Sequence, residues 1–136
     1  MNRINDLTET IQHRIIFPGD LNNHNTLFGG KALEWMDEVA HITATRFAKK
    51  EMITISSENI RFINPVNSGD IIEIKGKIQK KGRVRLTILV SIYIEEISTS
   101  EKSLAIEGNF TFVAINNNNK PIPIFNKTEN KIPVSN

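Results

Sequence analysis

Only one stretch of this chain can form a long helix, and that restricts the fold more than any other feature. Residues 31–48 (KALEWMDEVAHITATRFA) contain neither Gly nor Pro. Downstream, apolar residues recur at every second position instead, which is the strand period. Ile72, Ile74, Gly76 and Ile78 share one face, then Leu86, Ile88, Val90, Ile92 and Ile94, then Leu104, Ile106, Gly108, Phe110 and Phe112. Residues 52–63 (MITISSENIRFI) and 11–17 (IQHRIIF) also read as strands. Asn64-Pro65, Ser68-Gly69-Asp70 and Lys80-Lys81-Gly82-Arg83 read as the turns between them. One short strand, one long helix and four longer strands predict an α+β domain, an antiparallel sheet with a helix on one face.

The length, 136 residues, suits one domain. The core domain is expected over residues 1–124. Residues 125–136 read as a poorly ordered C-terminal tail, because Pro and Asn replace any sustained period after Asn116. Seventeen Lys+Arg stand against 15 Asp+Glu, and no run of like charge marks a nucleic-acid surface. The absence of Cys excludes a disulfide scaffold and a Cys-ligated metal. Met1 to Ile11 lacks the apolar stretch of a signal peptide, and no run approaches the roughly 20 apolar residues of a membrane span. A soluble, cytoplasmic protein is expected, with neither a nucleic-acid nor a membrane partner.

Plotted at 100° per residue, Met36, Asp37, Ala40, Ala44 and Phe47 fall within about 60° of Leu33. Asp37 is therefore expected on the apolar face, where burial disfavours the charged form of a carboxylate and so suits proton transfer. A plainer reading has it bonded to a backbone group or a basic side chain. Trp35 and Ile42 fall opposite, which suggests a second covered surface. Phe28-Gly29-Gly30 lies immediately before the helix. Free N–H groups at a helix start stabilise an oxyanion, and glycines let a ligand approach them, although the same pair could be only a turn. Asp37 lies about 10–12 Å further along. That is far for both groups of one subunit to act on one carbonyl, and it points to a site built between two subunits. In the polar run before the glycines, Asn25 or Thr26 is a plausible helix cap. One or more of its amides could instead orient a water or a substrate carbonyl. No metal, Walker, dinucleotide or nucleophile-elbow motif occurs.

DLNNHNTLFGGKALEWMDEVA (Asp20 to Ala40) resembles the signature of hotdog-fold acyl-CoA thioesterases, the acyl-CoA hydrolase family. The resemblance continues in ITISSENIRFINPVNSGD, in Lys81-Gly82-Arg83 and in FTFVAINNNNKPIPI, and it covers about residues 10–124. It implies a single hotdog domain, an antiparallel sheet wrapped around one long central helix. It also implies edge-to-edge pairing of two copies, and a hexamer made of three such dimers, with active sites at the dimer interface. The implied reaction converts acyl-CoA and water to fatty acid and free CoA. By resemblance, Asp37 is the catalytic carboxylate, as general base or as nucleophile. N–H groups near Gly29 and Gly30 would polarise the thioester carbonyl, with Asn22 and Thr26 assisting. His24, Asn25, Phe28, Phe62, Arg83 and Arg85 would contact the substrate. No metal or bound cofactor is implied, coenzyme A being part of substrate and product. Val84 and Arg85 stand where relatives carry small hydroxyls beside the coenzyme, so the second Arg would meet its phosphates instead.

Two other readings share the fold. A hydroxyacyl-thioester dehydratase would pair a His with a carboxylate, as His24 and Asp37 could. Its H-F-P run is absent, however. A non-catalytic acyl-CoA-binding regulatory module would need no Asp37.

Overall fold

Helix α1 (Gly29–Ala48) is 20 residues long, about 30 Å at 1.5 Å per residue, and the sheet curls around it. The computed structural model describes residues 8–125. The strands are β1 (Glu9–Ile15), β2 (Met52–Phe62), β3 (Ile71–Lys81), β4 (Arg85–Glu95), β5 (Lys102–Ile115) and the short β6 (Pro121–Ile122). Pro18–Asp20 makes a 3-10 turn after β1. Every pairing is antiparallel. The order is β1-β3-β4-β5-β2, with β6 on the end of β5. The α+β architecture expected from the two periodicities is the one adopted, and α1 touches all five long strands.

The periodicities meet in the core. Met36, Val39, Ala40 and Ala44 of α1 face Ile72, Ile74, Leu86, Ile88, Ile92 and Phe112, all fully buried. Burying one such large side chain contributes about 1.5–3 kcal/mol. Gly76 lets the helix come this close. A Cβ there would lie 2.8 Å from Thr43 Oγ1 and 3.0 Å from Val39 Cγ1. Buried Thr43 satisfies its hydroxyl by donating to Val39 O at 2.8 Å. The helix stops where Lys49 turns left-handed (φ 56°) and its N–H bonds Thr45 O, an αL cap.

Three local expectations are corrected. The helix begins two residues early, at Gly29, so the glycines form its first turn instead of preceding it. Its buried side is Ala32, Trp35, Met36, Val39, Ala40, Thr43, Ala44 and Ala48, a face rotated away from Leu33 because the curled sheet covers the helix widely. Trp35 is consequently in the core, with the Arg14 guanidinium 4.4 Å from its ring centroid, and it marks no second surface. Ile42 does remain exposed.

On the sheet face away from α1, Glu73 is buried and accepts a 2.8 Å bond from Lys102 Nζ, with His13 Nε2 at 3.7 Å. That bond, and the Glu73 charge behind it, raise the Lys102 ammonium above its usual 10.5. After β5, Asn116 Oδ1 accepts from the N–H groups of Asn118 and Lys120 and folds the asparagine run into a turn. Just beyond β6, Ile124 and Phe125 are buried, and the Phe125 ring packs edge-on to Phe47 at 5.8 Å. Packing thus includes Phe125, one residue past the expected boundary, and the rest of the expected tail lies outside the described residues. No helix among the described residues is long and apolar enough to cross a membrane.

Candidate active site

The loop before α1 is held by one side chain. Asn22 Oδ1 accepts from His24 N–H at 2.8 Å and from Thr26 N–H at 3.2 Å, while its Nδ2 donates to Thr26 Oγ1 at 3.0 Å. Asn25, at the tip, takes a positive φ of 63°, a conformation Asn tolerates better than most residues. The segment then docks through Leu27 N–H on Val66 O and Phe28 N–H on Asp20 O. Thr26 and Asn25 do not cap the helix, contrary to expectation. The cap position belongs to Phe28, which supplies no side-chain bond, because Asn22 already holds Thr26.

The uncapped start matters chemically. Ala32 N–H is the first to find a carbonyl within the turn, Phe28 O at 3.0 Å. The N–H groups of Gly29, Gly30 and Lys31 therefore lack an intrahelical acceptor and carry the positive end of the helix dipole. The glycines keep them approachable. A Cβ on Gly30 would lie 2.7 Å from Phe28 Cε2, and one on Gly29 would lie 3.5 Å from Phe62 Cζ. Phe28 and Phe62 are themselves more than half exposed. Asn22, Thr26, Gly29 and Phe62 line one cleft of about 460 Å³.

Asp37 lines a different cleft. It sits half-buried at the border of the core face, not within the stripe where the helical plot put it, for the reason that displaced Trp35. Its Oδ1 accepts a 2.8 Å bond from Thr54 Oγ1. Gly30, Leu33, Glu34, Ser57 and Phe110 complete a cleft of about 310 Å³. The sequence reading did not single out Thr54. A signal existed, since Thr54 follows buried Met52 by two and so shares its inward phase. Among the described residues nothing else bonds the Asp37 carboxylate, which leaves Oδ2 for a water.

The remaining candidates are dispersed. His24 and Asn25 are exposed on the loop and line neither cleft. Arg83 lies in the β3–β4 turn. Arg85 pairs with Val113, and Val113 with Ile53, so Arg85 is on the face away from α1. Within one chain the structure does not bring either Arg to Asp37, nor Asp37 to Asn22. One long edge is open as well. Among the described residues β2 pairs only with β5, and it exposes Ile53, Ile55 and Phe62, with Ile63 just after it.

A family model described as the thioesterase superfamily matches residues 24–101. An uncharacterized acyl-CoA thioester hydrolase of Bacillus subtilis is 36% identical over 109 residues, 80% of this chain and 63% of that protein. The match thus spans less than two thirds of the Bacillus protein. An acyl-CoA hydrolase from Staphylococcus aureus, solved with butyryl coenzyme A and coenzyme A, superposes with a TM-score of 0.83 at 30% identity, over 87% of this chain and 72% of that one. A hexameric thioesterase from Yersinia pestis does so at 0.75 and 27% identity, over 82% and 91%.

Proposed function

Because this chain belongs to the thioesterase superfamily, we propose that it hydrolyses acyl-CoA thioesters to a carboxylic acid and free coenzyme A. The observation that carries the reading is the Asp37–Thr54 pair. A half-buried carboxylate is fixed by one oxygen at 2.8 Å in an open cleft beside the start of α1. Asp37 acts as general base. Water held at Oδ2 gives it a proton and attacks the thioester carbonyl carbon. The carbonyl oxygen takes up the negative charge against the free N–H groups at Gly29 and Gly30, where the dipole favours it. The C–S bond then breaks, and the coenzyme A sulfur leaves as thiolate and takes up a proton. Asn22 and Thr26 line the glycine side and offer polar contacts there, while Phe28 and Phe62 shield it from water.

Gly29 and Asp37 lie in separate clefts, although Gly30 borders the Asp37 one, and α1 keeps the glycine N–H groups and Asp37 about 10–12 Å apart. Each working site therefore combines the Asp37 half of one copy with the glycine half of another. The open β2 edge is the surface through which two copies meet, since an unpaired, apolar strand edge is stabilised by another strand. Three such dimers would make a hexamer, the state of the Yersinia relative. Arg83 and Arg85 would reach the coenzyme phosphates across that assembly, not within one chain. Water is the only co-reactant, and no resident metal or cofactor enters the scheme.

Asp37→Asn tests the reading. It should lower kcat by about 10²–10⁴-fold, the usual worth of a positioned acid–base group, with fold and oligomer unchanged. Near-normal turnover would remove Asp37 from the mechanism. Release of free thiol separates hydrolysis from the alternatives, since a dehydratase or a binding module liberates no coenzyme A.

A further inference from the structure

The Asp37 cleft carries a second carboxylate. Glu34 lies three positions before Asp37 on α1 and lines the same cleft, with Gly30, Leu33, Thr54, Ser57 and Phe110. Residues three apart on a helix are neighbours, with about 5–6 Å between Cβ atoms. The lining contains no Lys, Arg or His. The two acids that follow on α1 are engaged, Asp37 by Thr54 at 2.8 Å and Glu38 by Arg14 at 3.7 Å. Glu34 is exposed, and among the described residues no hydrogen bond or ion pair holds its carboxylate. Lys31, the nearest cation along the helix, lines neither cleft. The groups that the proposed mechanism brings from a second copy, the glycine N–H groups with Asn22, Thr26, Phe28 and Phe62, carry no full charge either. Two carboxylates therefore border the place where the thioester carbonyl is attacked, and no full positive charge in the lining offsets them.

We propose that Glu34 is a specificity-determining residue, which rejects acyl groups with a carboxylate close to the thioester and reserves the site for uncharged ones. The proposal rests on the thioesterase reading and names the class of acyl group that the site takes. In a malonyl thioester the free carboxylate stands two bonds beyond the carbonyl carbon. Wherever a longer acyl chain would run, that carboxylate lies beside the water that Asp37 activates, and so within reach of the Glu34 charge. Like charges at this range repel, more strongly in a cleft than in bulk water. An isovaleryl group has the same shape, with two methyl groups in place of the two oxygens, and it meets apolar Leu33 and Phe110 at no electrostatic cost. Asp37 adds to the repulsion, but it is required as the base. Glu34 touches no reacting atom, so its charge can be removed while the base stays.

The test compares the unaltered protein with Glu34→Gln, Glu34→Asp and Glu34→Lys on malonyl-CoA and isovaleryl-CoA, following free thiol. The readout is the ratio of the two kcat/KM values, in which any general effect on folding or turnover cancels. The unaltered protein should favour isovaleryl-CoA. Glu34→Gln should raise the malonyl share roughly five- to tenfold, the worth of one charge at this range in a partly solvated cleft. Glu34→Lys should raise it further, and Glu34→Asp, which keeps the charge, should leave it near the unaltered ratio. Added salt should narrow the gap between the unaltered protein and the Gln variant. An unaltered protein that favours malonyl-CoA, or no gain in the malonyl share with either Gln or Lys, would overturn the proposal and leave the hydrolysis itself standing. If the unaltered protein releases no thiol from either substrate, the thioesterase reading itself fails and the proposal with it.

Discussion

Replacing Thr54 with Val removes one hydroxyl and almost no volume. That hydroxyl is the only group among the described residues that bonds the Asp37 carboxylate, at 2.8 Å. A hydrogen bond to a charged group is worth about 1.5–3 kcal/mol. Asp37 is half-buried, so water can partly replace the lost donor, and the lower figure applies. About 1.5 kcal/mol corresponds to roughly a tenfold loss of rate. In the proposed mechanism Thr54 holds the base and does not touch the thioester, so the loss should fall on kcat, with KM within about twofold. Thr54→Ser keeps the donor and should recover most of the activity. In an Asp37→Asn background, Thr54→Val should cost little more, because the two residues act as one unit. The chain has no Cys, so a thiol reagent reads only released coenzyme A and the assay has no protein background. Equal kcat for unaltered protein, Val variant and Ser variant would refute the idea that Thr54 orients the base.

Placing Lys at both Ile53 and Ile55 charges the open β2 edge and should dissociate the oligomer. Light scattering should show monomer, and in the proposed two-copy site turnover should disappear with it. Gly76→Ala forces a Cβ against Thr43 and Val39; overpacking of this kind costs about 1–3 kcal/mol, read as a fall in Tm with kcat unchanged. Lys102→Met removes the partner of buried Glu73. Because the Lys102 pKa is raised on folding, its contribution to stability is complete below 10.5 and disappears as pH rises through the higher folded value. The difference between unaltered and variant protein in denaturant melts should therefore be level from neutral pH to 10.5 and shrink above it.

Alternating apolar residues from Ile72 to Phe112 and the uninterrupted run from 31 to 48 were enough to read one helix on an antiparallel sheet. Side-chain period is a property of the local backbone, and burial follows it. The same local logic made the Asn116–Asn119 turn readable and kept the FGG segment at the start of the helix. The sequence alone also carried the resemblance to the thioesterases, in Asp20 to Ala40.

Tertiary contacts decided the rest. Which side of α1 is inward depends on how far the sheet curls, and that placed Trp35 in the core and Asp37 at its border. Thr54 meets Asp37 only because β2 lies beside the helix, 17 positions away along the chain. Asn22 spends its amide oxygen on its own loop, so Thr26 is not a cap. Arg85 points away from Asp37 because the pairing with Val113 fixes its face. The bulge at Asn59, which packs Ile60 onto Gly108, likewise comes from the pairing of β2 with β5 and from no spacing rule. Period and propensity describe neighbours along the chain; the site is made of neighbours across it.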